Sequence, residues 1–353
     1  MSPAPVTTKL AIQDATIRAI DVSAAHTVLY AVYGDSNASG NDQTAAPADW
    51  SPRVAASDGF PDFGDLGVNP DVGIWDKWTI GPNASRSSDA DTGTGWHDSD
   101  VGLLDHGAGV YLGTGQIARG NAIEHSFGLF MRAALLRDGI PAGQPTPTPF
   151  QLSICKYGVG GSVVNPTPAS PQGGWVPGGG ATGAFNVFTT RYLRPAIIQR
   201  FAEAGGGGPA VFFGGSVVIL GGTDAIDTGS VFTAPGDAEA VDSNLQAVIQ
   251  GVNDFMGCPK APVVLAIPPF VNEAGATVND GYPHIAVVRE RIASLAKRRT
   301  AAGYRTAAVE LQQFERYTDN LHYSNFGLWT AGRECARAML ALGHRLEQVV
   351  EVP

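Results

Sequence analysis

The sequence predicts an α/β protein, a three-layer α/β/α sandwich with a mostly parallel, five-stranded sheet. Short apolar segments alternate along the chain with longer segments whose apolar residues recur at helical spacing. Strands that are apolar on both faces are typical of parallel sheets covered by helices on both sides. The length of 353 residues, with 44% hydrophobic and 16% charged residues, fits a globular protein and excludes a disordered chain.

The elements follow from composition and periodicity. The segments predicted as strands are 27–33, 151–156, 216–220, 262–267 and 305–311. The segments predicted as helices are 122–137, 186–204, 236–256, 283–299 and 325–342. The remaining stretches are an N-terminal extension, 1–26, and two long Gly- and Pro-rich loop insertions, 37–120 and 158–183. No linker interrupts the pattern, so residues 1–353 are predicted to form a single domain.

Charge and cysteine content limit the partners. The net charge of −10 argues against a nucleic-acid partner. Cys155, Cys258 and Cys335 are too few for a disulfide framework and lack metal-ligand spacing. No apolar run approaches the roughly 20 residues that span a bilayer, so no membrane partner is expected. The N-terminus shows no secretory pattern, and the compartment is left open between the cytoplasm and export or association with a virus particle without such a signal. The oligomeric state is left open.

Two short motifs supply the residue types of a serine hydrolase triad. Ser36 follows the first predicted strand, and the string Asp319-Asn320-Leu321-His322 precedes the last predicted helix. The chain order Ser, Asp, His recurs in α/β hydrolases, in which a histidine takes the serine proton and a carboxylate orients the histidine. Ser36 is the candidate nucleophile, His322 the general base and Asp319 the orienting carboxylate. Alternatively, Ser36 caps a helix, and Asp319 and His322 belong to a surface loop.

The neighbourhood of these motifs resembles the GDSL/SGNH hydrolase superfamily. Within it, the chain is most similar to the carbohydrate-esterase branch that includes sialate O-acetylesterase-like and acetylxylan esterase-like proteins. That branch has Gly-Gln-Ser-Asn at the nucleophile, and Asp35 replaces the Gln here. Its Lys-x-x-x-Gly-Gly-Ser/Thr string matches residues 156–162, and Trp175 follows as a Trp often does in that branch. The resemblance implies the SGNH hydrolase fold with a flavodoxin-like sheet.

The resemblance also implies an oxyanion hole. Its donors would be the backbone N–H of Ser36 and that of Gly161, with Gly160 as the alternative. The third donor departs from the pattern, because Thr223 stands where the superfamily string Gly-x-Asn-Asp has Asn. A threonine hydroxyl donates one hydrogen bond but reaches less far than an amide. The residues assigned to substrate binding are Asn37, Trp175 and Asp224.

Several other features are interpreted as structural. Asp35 and Asp224 are expected to brace turns by accepting backbone N–H bonds, and Lys156 is favoured as a salt-bridge partner over an electrostatic helper. Residues 251–254 fit Gly-x-Asn-Asp literally but have helical spacing. The acidic loop 89–106 fails the EF-hand pattern, which favours a solvated loop over a calcium site. No metal or organic cofactor is predicted.

The predicted function is a serine esterase that removes small acyl groups, with O-acetyl groups on carbohydrate as the expected substrate. Two alternatives remain open. One is a lipid or thioester hydrolase of the same superfamily. The other is a non-catalytic carbohydrate-binding or structural protein on the same scaffold, which the absence of Asn at position 223 favours.

Overall fold

The structure is a computed structural model. The residues that it describes are 26–39, 69–77, 94–99, 123–124, 126–128, 130–131, 150–159, 161–164, 174–178, 183–203, 211–225, 235–269, 282–312, 314, 323, 325–343 and 347–348.

The described strands form one sheet. The strands are β1 (His26–Gly34), β2 (Asn69–Lys77), β3 (Thr94–Ser99), β4 (Phe150–Gly158), β5 (Val211–Ile219), β6 (Val263–Ile267), β7 (Thr306–Glu310) and β8 (Glu347–Gln348). Their order is β3-β2-β4-β1-β5-β6-β7, and β8 pairs with β5. The five predicted strands are β1, β4, β5, β6 and β7, and they pair with one another in parallel. When these five strands are numbered along the chain, their order across the sheet is 2-1-3-4-5, which is the flavodoxin order. The predicted fold class is confirmed.

Helices lie in the connections between these strands. The helical elements are α1 (Ser36–Ser39), α2 (Ala184–Val187), a π-helix (Phe188–Leu193), α3 (Arg194–Glu203), a 3-10 turn (Thr223–Ala225), α4 (Pro235–Phe255), α5 (Ile285–Ala301) and α6 (Asn325–Ala341). Further helical residues lie between 123 and 131. The predicted helices 186–204, 236–256, 283–299 and 325–342 are present with similar bounds, whereas the bounds of the predicted helix 122–137 lie outside the described residues. None of the helices described in the structure is long and apolar enough to cross a membrane.

The two faces of the sheet bury separate hydrophobic cores. Along β1, Leu29 and Tyr33 belong to one core and Val28 and Tyr30 to the other, as the alternation of side chains along a strand requires. The first core includes residues of the π-helix, α4 and α5, and the second includes residues of α6 and of the helical residues between 123 and 131. A sheet with helices on both faces gives three layers.

Two strands lie within the predicted loop 37–120. β2 pairs in parallel with β4 and antiparallel with β3, so it extends the sheet beyond the predicted strands. Its sequence, NPDVGIWDK, is rich in residues that are depleted in strands. Its strand conformation therefore depends on pairing with β4 rather than on local preference. Whether the whole chain is one domain stays a prediction.

Candidate active site

The candidate nucleophile lies at the carboxyl end of β1, in the middle of the sheet. β1 ends at Gly34, and Ser36 begins α1. The Asp35 N–H donates to the carbonyl of Ile219 at 2.9 Å, and the carbonyl of Gly34 accepts from the Val159 N–H at 3.0 Å. The turn is thereby bonded to β5 on one side and to the segment after β4 on the other. Ligands of open α/β sheets bind at this edge.

The turn at Ser36 is braced by Asp35. The Asp35 Oδ1 accepts the backbone N–H of Asn37 at 3.0 Å, and the Asp35 carbonyl accepts that of Ala38 at 3.1 Å. A side chain that bonds the backbone two residues on is an Asx turn, which reverses the chain tightly. The predicted bracing role of Asp35 is confirmed. Ser36 itself is 7% exposed, so only a small part of it meets solvent.

The glycine block, which is the Gly160-Gly161-Ser162 part of the string at residues 156–162, follows β4 as predicted. Gly161 has a φ of 71°, a left-handed conformation that favours glycine. The turn is closed by the Ser162 N–H, which donates to the carbonyl of Val159 at 3.1 Å. Because β4 is the neighbour of β1, this turn lies beside the nucleophile turn. Gly160 lies outside the described residues.

The third turn follows β5, the other neighbour of β1. Gly221 has a φ of 107°, and Thr223 begins the 3-10 turn with an exposed fraction of 7%. Asp224 is fully buried. The Val164 N–H donates hydrogen bonds to both of its carboxylate oxygens, with N–O distances of 3.1 Å to Oδ1 and 2.9 Å to Oδ2. This contact fixes the third turn to the glycine block. The predicted bracing role of Asp224 is confirmed, and its complete burial does not fit the assignment to substrate binding.

Trp175 does not lie where a sugar-binding residue would. Its ring is fully buried and stacks on Tyr33 with centroids 5.3 Å apart. It also meets Tyr157 and Phe188 edge-on, and its indole N–H donates to the Ser162 Oγ at 3.0 Å. An aromatic ring packed by protein in this way offers no face to a ligand. The assignment of Trp175 to substrate binding is corrected to a core position that supports the glycine block.

Two of the proposed triad residues, Asp319 and His322, lie outside the described residues. The next residue, Tyr323, is described, and its backbone N–H donates to the Asn37 Oδ1 at 3.3 Å. The residue after His322 therefore contacts the residue after Ser36. This bond uses the side-chain oxygen of Asn37, and substrate binding by Asn37 stays a prediction.

Lys156 forms an ion pair in the protein interior. Its Nζ lies 2.6 Å from the Glu124 Oε1, and the two side chains are 3% and 5% exposed. The favoured structural role of Lys156 is confirmed. Sequence reasoning missed Glu124 as its partner, although a lysine inside an apolar strand indicates that a buried carboxylate faces it. The missing information was spatial, since 32 positions separate the two residues.

The remaining site predictions have mixed outcomes. Residues 251–254 lie in α4, and the Asn253 Nδ2 donates to the carbonyl of Ala261 at 3.3 Å. The prediction that this string is helical is confirmed. Among the described residues, no group of three or more His, Cys, Asp or Glu could hold a metal ion. Most of the acidic loop 89–106 lies outside the described residues.

Comparisons with known proteins bear on the fold. No family model matches the chain, and no curated protein matches it. A solved structure of a protein from Arabidopsis thaliana is similar to this chain with a TM-score of 0.53 and 15% identity, over 90% of this chain and 98% of that one. This likeness shows a shared fold.

Two further solved structures carry the name of carbohydrate acetylesterase. One is from Xanthomonas citri, with a TM-score of 0.46 and 16% identity over 89% of this chain and 56% of that one. The other is from Sinorhizobium meliloti, with a TM-score of 0.42 and 10% identity over 89% of this chain and 99% of that one.

Proposed function

We propose that this protein is a serine esterase that hydrolyses small acyl esters, with O-acetyl groups on carbohydrate as the expected substrate. The observation that carries the proposal is the hydrogen bond between Asn37 and Tyr323. It places Tyr323, the residue that follows His322 in the chain, against Asn37, the residue that follows Ser36. The position of that turn, at the carboxyl edge of a parallel sheet, supports the same proposal.

In the proposed reaction, the Ser36 Oγ attacks the ester carbonyl carbon while His322 accepts the hydroxyl proton. Asp319 orients the imidazole and stabilises its charged form. The resulting tetrahedral intermediate carries a negative oxygen, which the N–H groups of Ser36 and Gly161 stabilise, with the Thr223 hydroxyl as the candidate third donor. His322 then protonates the departing alcohol, and an acyl-serine ester remains. Water attacks this ester by the same steps, releasing the acid and free Ser36.

The first test is hydrolysis of p-nitrophenyl acetate, butyrate and octanoate by wild type and Ser36→Ala. We expect the acetate to be the best substrate and Ser36→Ala to lose at least about 1000-fold in kcat, since residues of a triad act as a unit. Ser243→Ala is the matched control, because Ser243 is exposed on α4 and its hydroxyl donates to the carbonyl of Ala240 in the same helix. Equal rates for wild type and Ser36→Ala would contradict serine catalysis.

The same assay separates the two alternatives. Preference for the octanoate would favour a lipid or thioester hydrolase. A wild-type protein that turns over none of the esters, but binds acetylated glycans equally well with and without Ser36→Ala, would favour a carbohydrate-binding protein. The observation that favours this second alternative is Thr223 in the third turn, which stands where the superfamily has an Asn donor. Loss of one oxyanion donor costs about 100- to 1000-fold in rate.

A further inference from the structure

Asn37 links the turn that contains Ser36 to Tyr323, the residue that follows His322 in the chain. Its Oδ1 accepts the Tyr323 N–H at 3.3 Å across 286 positions of sequence. Both residues are buried, with exposed fractions of 7% and 1%. Consecutive Cα atoms are about 3.8 Å apart, so this contact lies one residue from Ser36 on one side and one residue from His322 on the other. The Asn37 amide therefore limits how far Tyr323 can separate from the turn that contains Ser36.

The amide of Asn37 is held on a rigid support. The Asn37 N–H donates to the Asp35 Oδ1 at 3.0 Å, and the Asp35 N–H donates to the carbonyl of Ile219 at 2.9 Å. Hydrogen bonds thus run from β5 through Asp35 and Asn37 to Tyr323. The ring of Tyr323 belongs to the same hydrophobic core as Ala38. Both ends of the Asn37–Tyr323 bond are consequently fixed by other contacts.

We propose that Asn37 is a positioning residue that keeps the His322 segment in register with Ser36. This inference rests on the proposed esterase function and deepens it. A general base must lie within about 2.6–3.2 Å of the proton that it accepts, and a displacement of about 1 Å can cost about 100-fold in rate. This role differs from the sequence-based assignment of Asn37 to substrate binding. A positioning residue acts through the Tyr323 backbone and does not contact the substrate.

The test compares Asn37→Leu with Asn37→Asp. Leucine is similar in size but has no acceptor, whereas aspartate keeps an acceptor for the Tyr323 N–H. For p-nitrophenyl acetate we expect Asn37→Leu to lower kcat about 10- to 100-fold with KM within about twofold. We expect Asn37→Asp to keep most of kcat. Its added negative charge beside the His322 segment favours the imidazolium, so the acidic limb of its kcat profile should move to higher pH.

Gln250→Leu is the matched control for loss of an amide. Gln250 bonds Asp254 on the exposed side of α4, near the end that leads into β6. That end lies at the edge of the sheet opposite Ser36, because β6 and β1 are parallel strands of one sheet. Backbone hydrogen exchange at Tyr323 supplies a readout besides activity. We expect it to accelerate in Asn37→Leu and to remain at the wild-type rate in Gln250→Leu.

Three results would overturn the proposal. A raised KM with unchanged kcat in Asn37→Leu would indicate substrate contact. A lowered melting temperature of Asn37→Leu would indicate a purely structural role if its kcat were unchanged. For this comparison, kcat is calculated from the number of active sites that react with an organophosphate. Unchanged exchange at Tyr323 in an active Asn37→Leu enzyme would show that the bond does not fix the segment. A wild-type protein inert towards all three esters would instead overturn the esterase function itself, and exchange at Tyr323 would still report the contact.

Discussion

At the scale of single residues, Gly34 sets how closely the nucleophile turn can approach β5. A Cβ atom built on Gly34 would lie 1.9 Å from the carbonyl oxygen of Ile219 and 2.6 Å from its carbon. The obstacle is backbone, so it cannot move aside as a flexible side chain could. The same carbonyl accepts the Asp35 N–H. Any side chain at position 34 must therefore separate β1 from β5 and disturb the turn that presents Ser36.

Replacing Gly34 with alanine tests this packing. We expect Gly34→Ala to lower the free energy of unfolding by about 3 kcal/mol, the upper part of the range for overpacked sites, and to reduce kcat for p-nitrophenyl acetate. Gly303→Ala is the control, because Gly303 has a φ of 83° and open space around its Cβ position. It should cost only about 1–2 kcal/mol from backbone strain and leave kcat unchanged. Urea unfolding and initial rates measure both effects, and equal losses in the two variants would contradict the argument.

Thr223 is the candidate for the third oxyanion donor. Thr223→Val removes the hydroxyl while keeping the shape, and we expect it to lower kcat about 100-fold if the hydroxyl stabilises the oxyanion. Thr223→Asn supplies the amide of the superfamily pattern, and we expect kcat to rise because an amide reaches farther. Rates on p-nitrophenyl acetate with KM measured separately check both variants. A Thr223→Val enzyme with wild-type kcat would show that two donors suffice.

At the scale of elements, two buried contacts tie together the segments that form the site. The Asp224 carboxylate holds the turn after β5 against the turn after β4 through the Val164 N–H. The pair of Lys156 and Glu124 joins β4 to the helical residues between 123 and 131. Charged groups with so little exposure stay in a protein only when they are paired. Each contact therefore fixes the relative position of the two parts of the chain that it joins.

The ion pair predicts a specific pattern of stabilities. Lys156→Met leaves the Glu124 carboxylate buried without its ammonium partner, and we expect a loss of about 3–5 kcal/mol in the free energy of unfolding. The double variant Lys156→Met with Glu124→Leu removes both charges, and we expect it to recover most of that loss. Urea unfolding of the two single variants and the double variant forms a complete cycle. Additive losses would show that the two side chains do not interact energetically.

At the scale of the whole molecule, the central strand buries two tyrosines beneath opposite helix layers. Burial raises the pKa of the Tyr30 and Tyr33 hydroxyls above their ordinary value. Burial, with a smaller effect of Glu334, also raises the pKa of the Cys335 thiol. Each of these groups has a higher pKa in the folded protein than in the unfolded chain. Its contribution to stability is therefore fully present at pH values below the pKa of the unfolded chain. That contribution is lost as the pH rises above the pKa of the unfolded chain. The relevant window begins near pH 9 for the thiol and near pH 10 for the phenols.

The protein is therefore expected to lose stability in alkali. Each buried group should lower the free energy of unfolding by about 1.4 kcal/mol per pH unit once its unfolded form ionises. Tyr30→Phe should cost little at pH 7.5, because the Tyr30 hydroxyl has no hydrogen-bond partner in the part of the chain that the structure describes. It should also make the decline above pH 10 shallower. Urea unfolding at pH 7.5 and 10.5 checks this, and parallel declines in both proteins would contradict it.

Much of the fold could be predicted from the sequence because the central strands are apolar on both faces. β1 reads as a continuous apolar run, the predicted strand 216–220 marks the carboxyl half of β5, and helical spacing marks α4, α5 and α6. β2 could not be predicted, because its residues disfavour a strand and only pairing with β4 makes it one. Trp175 was misassigned for a related reason. A Trp in a Gly- and Pro-rich segment gives no sign of whether its ring meets solvent or, as here, three aromatic neighbours.

The sequence by itself determined the fold class and the candidate chemistry, since apolar runs, helical periodicity and the strings around Ser36 and His322 are local properties. Only the tertiary structure decided which distant residues meet. Asp224 contacts Val164, Lys156 contacts Glu124, and Asn37 contacts Tyr323. These contacts depend on the strand order, which places the turns after β4, β1 and β5 side by side. Strand order results from packing the whole sheet against its helices, and no short segment of sequence encodes it.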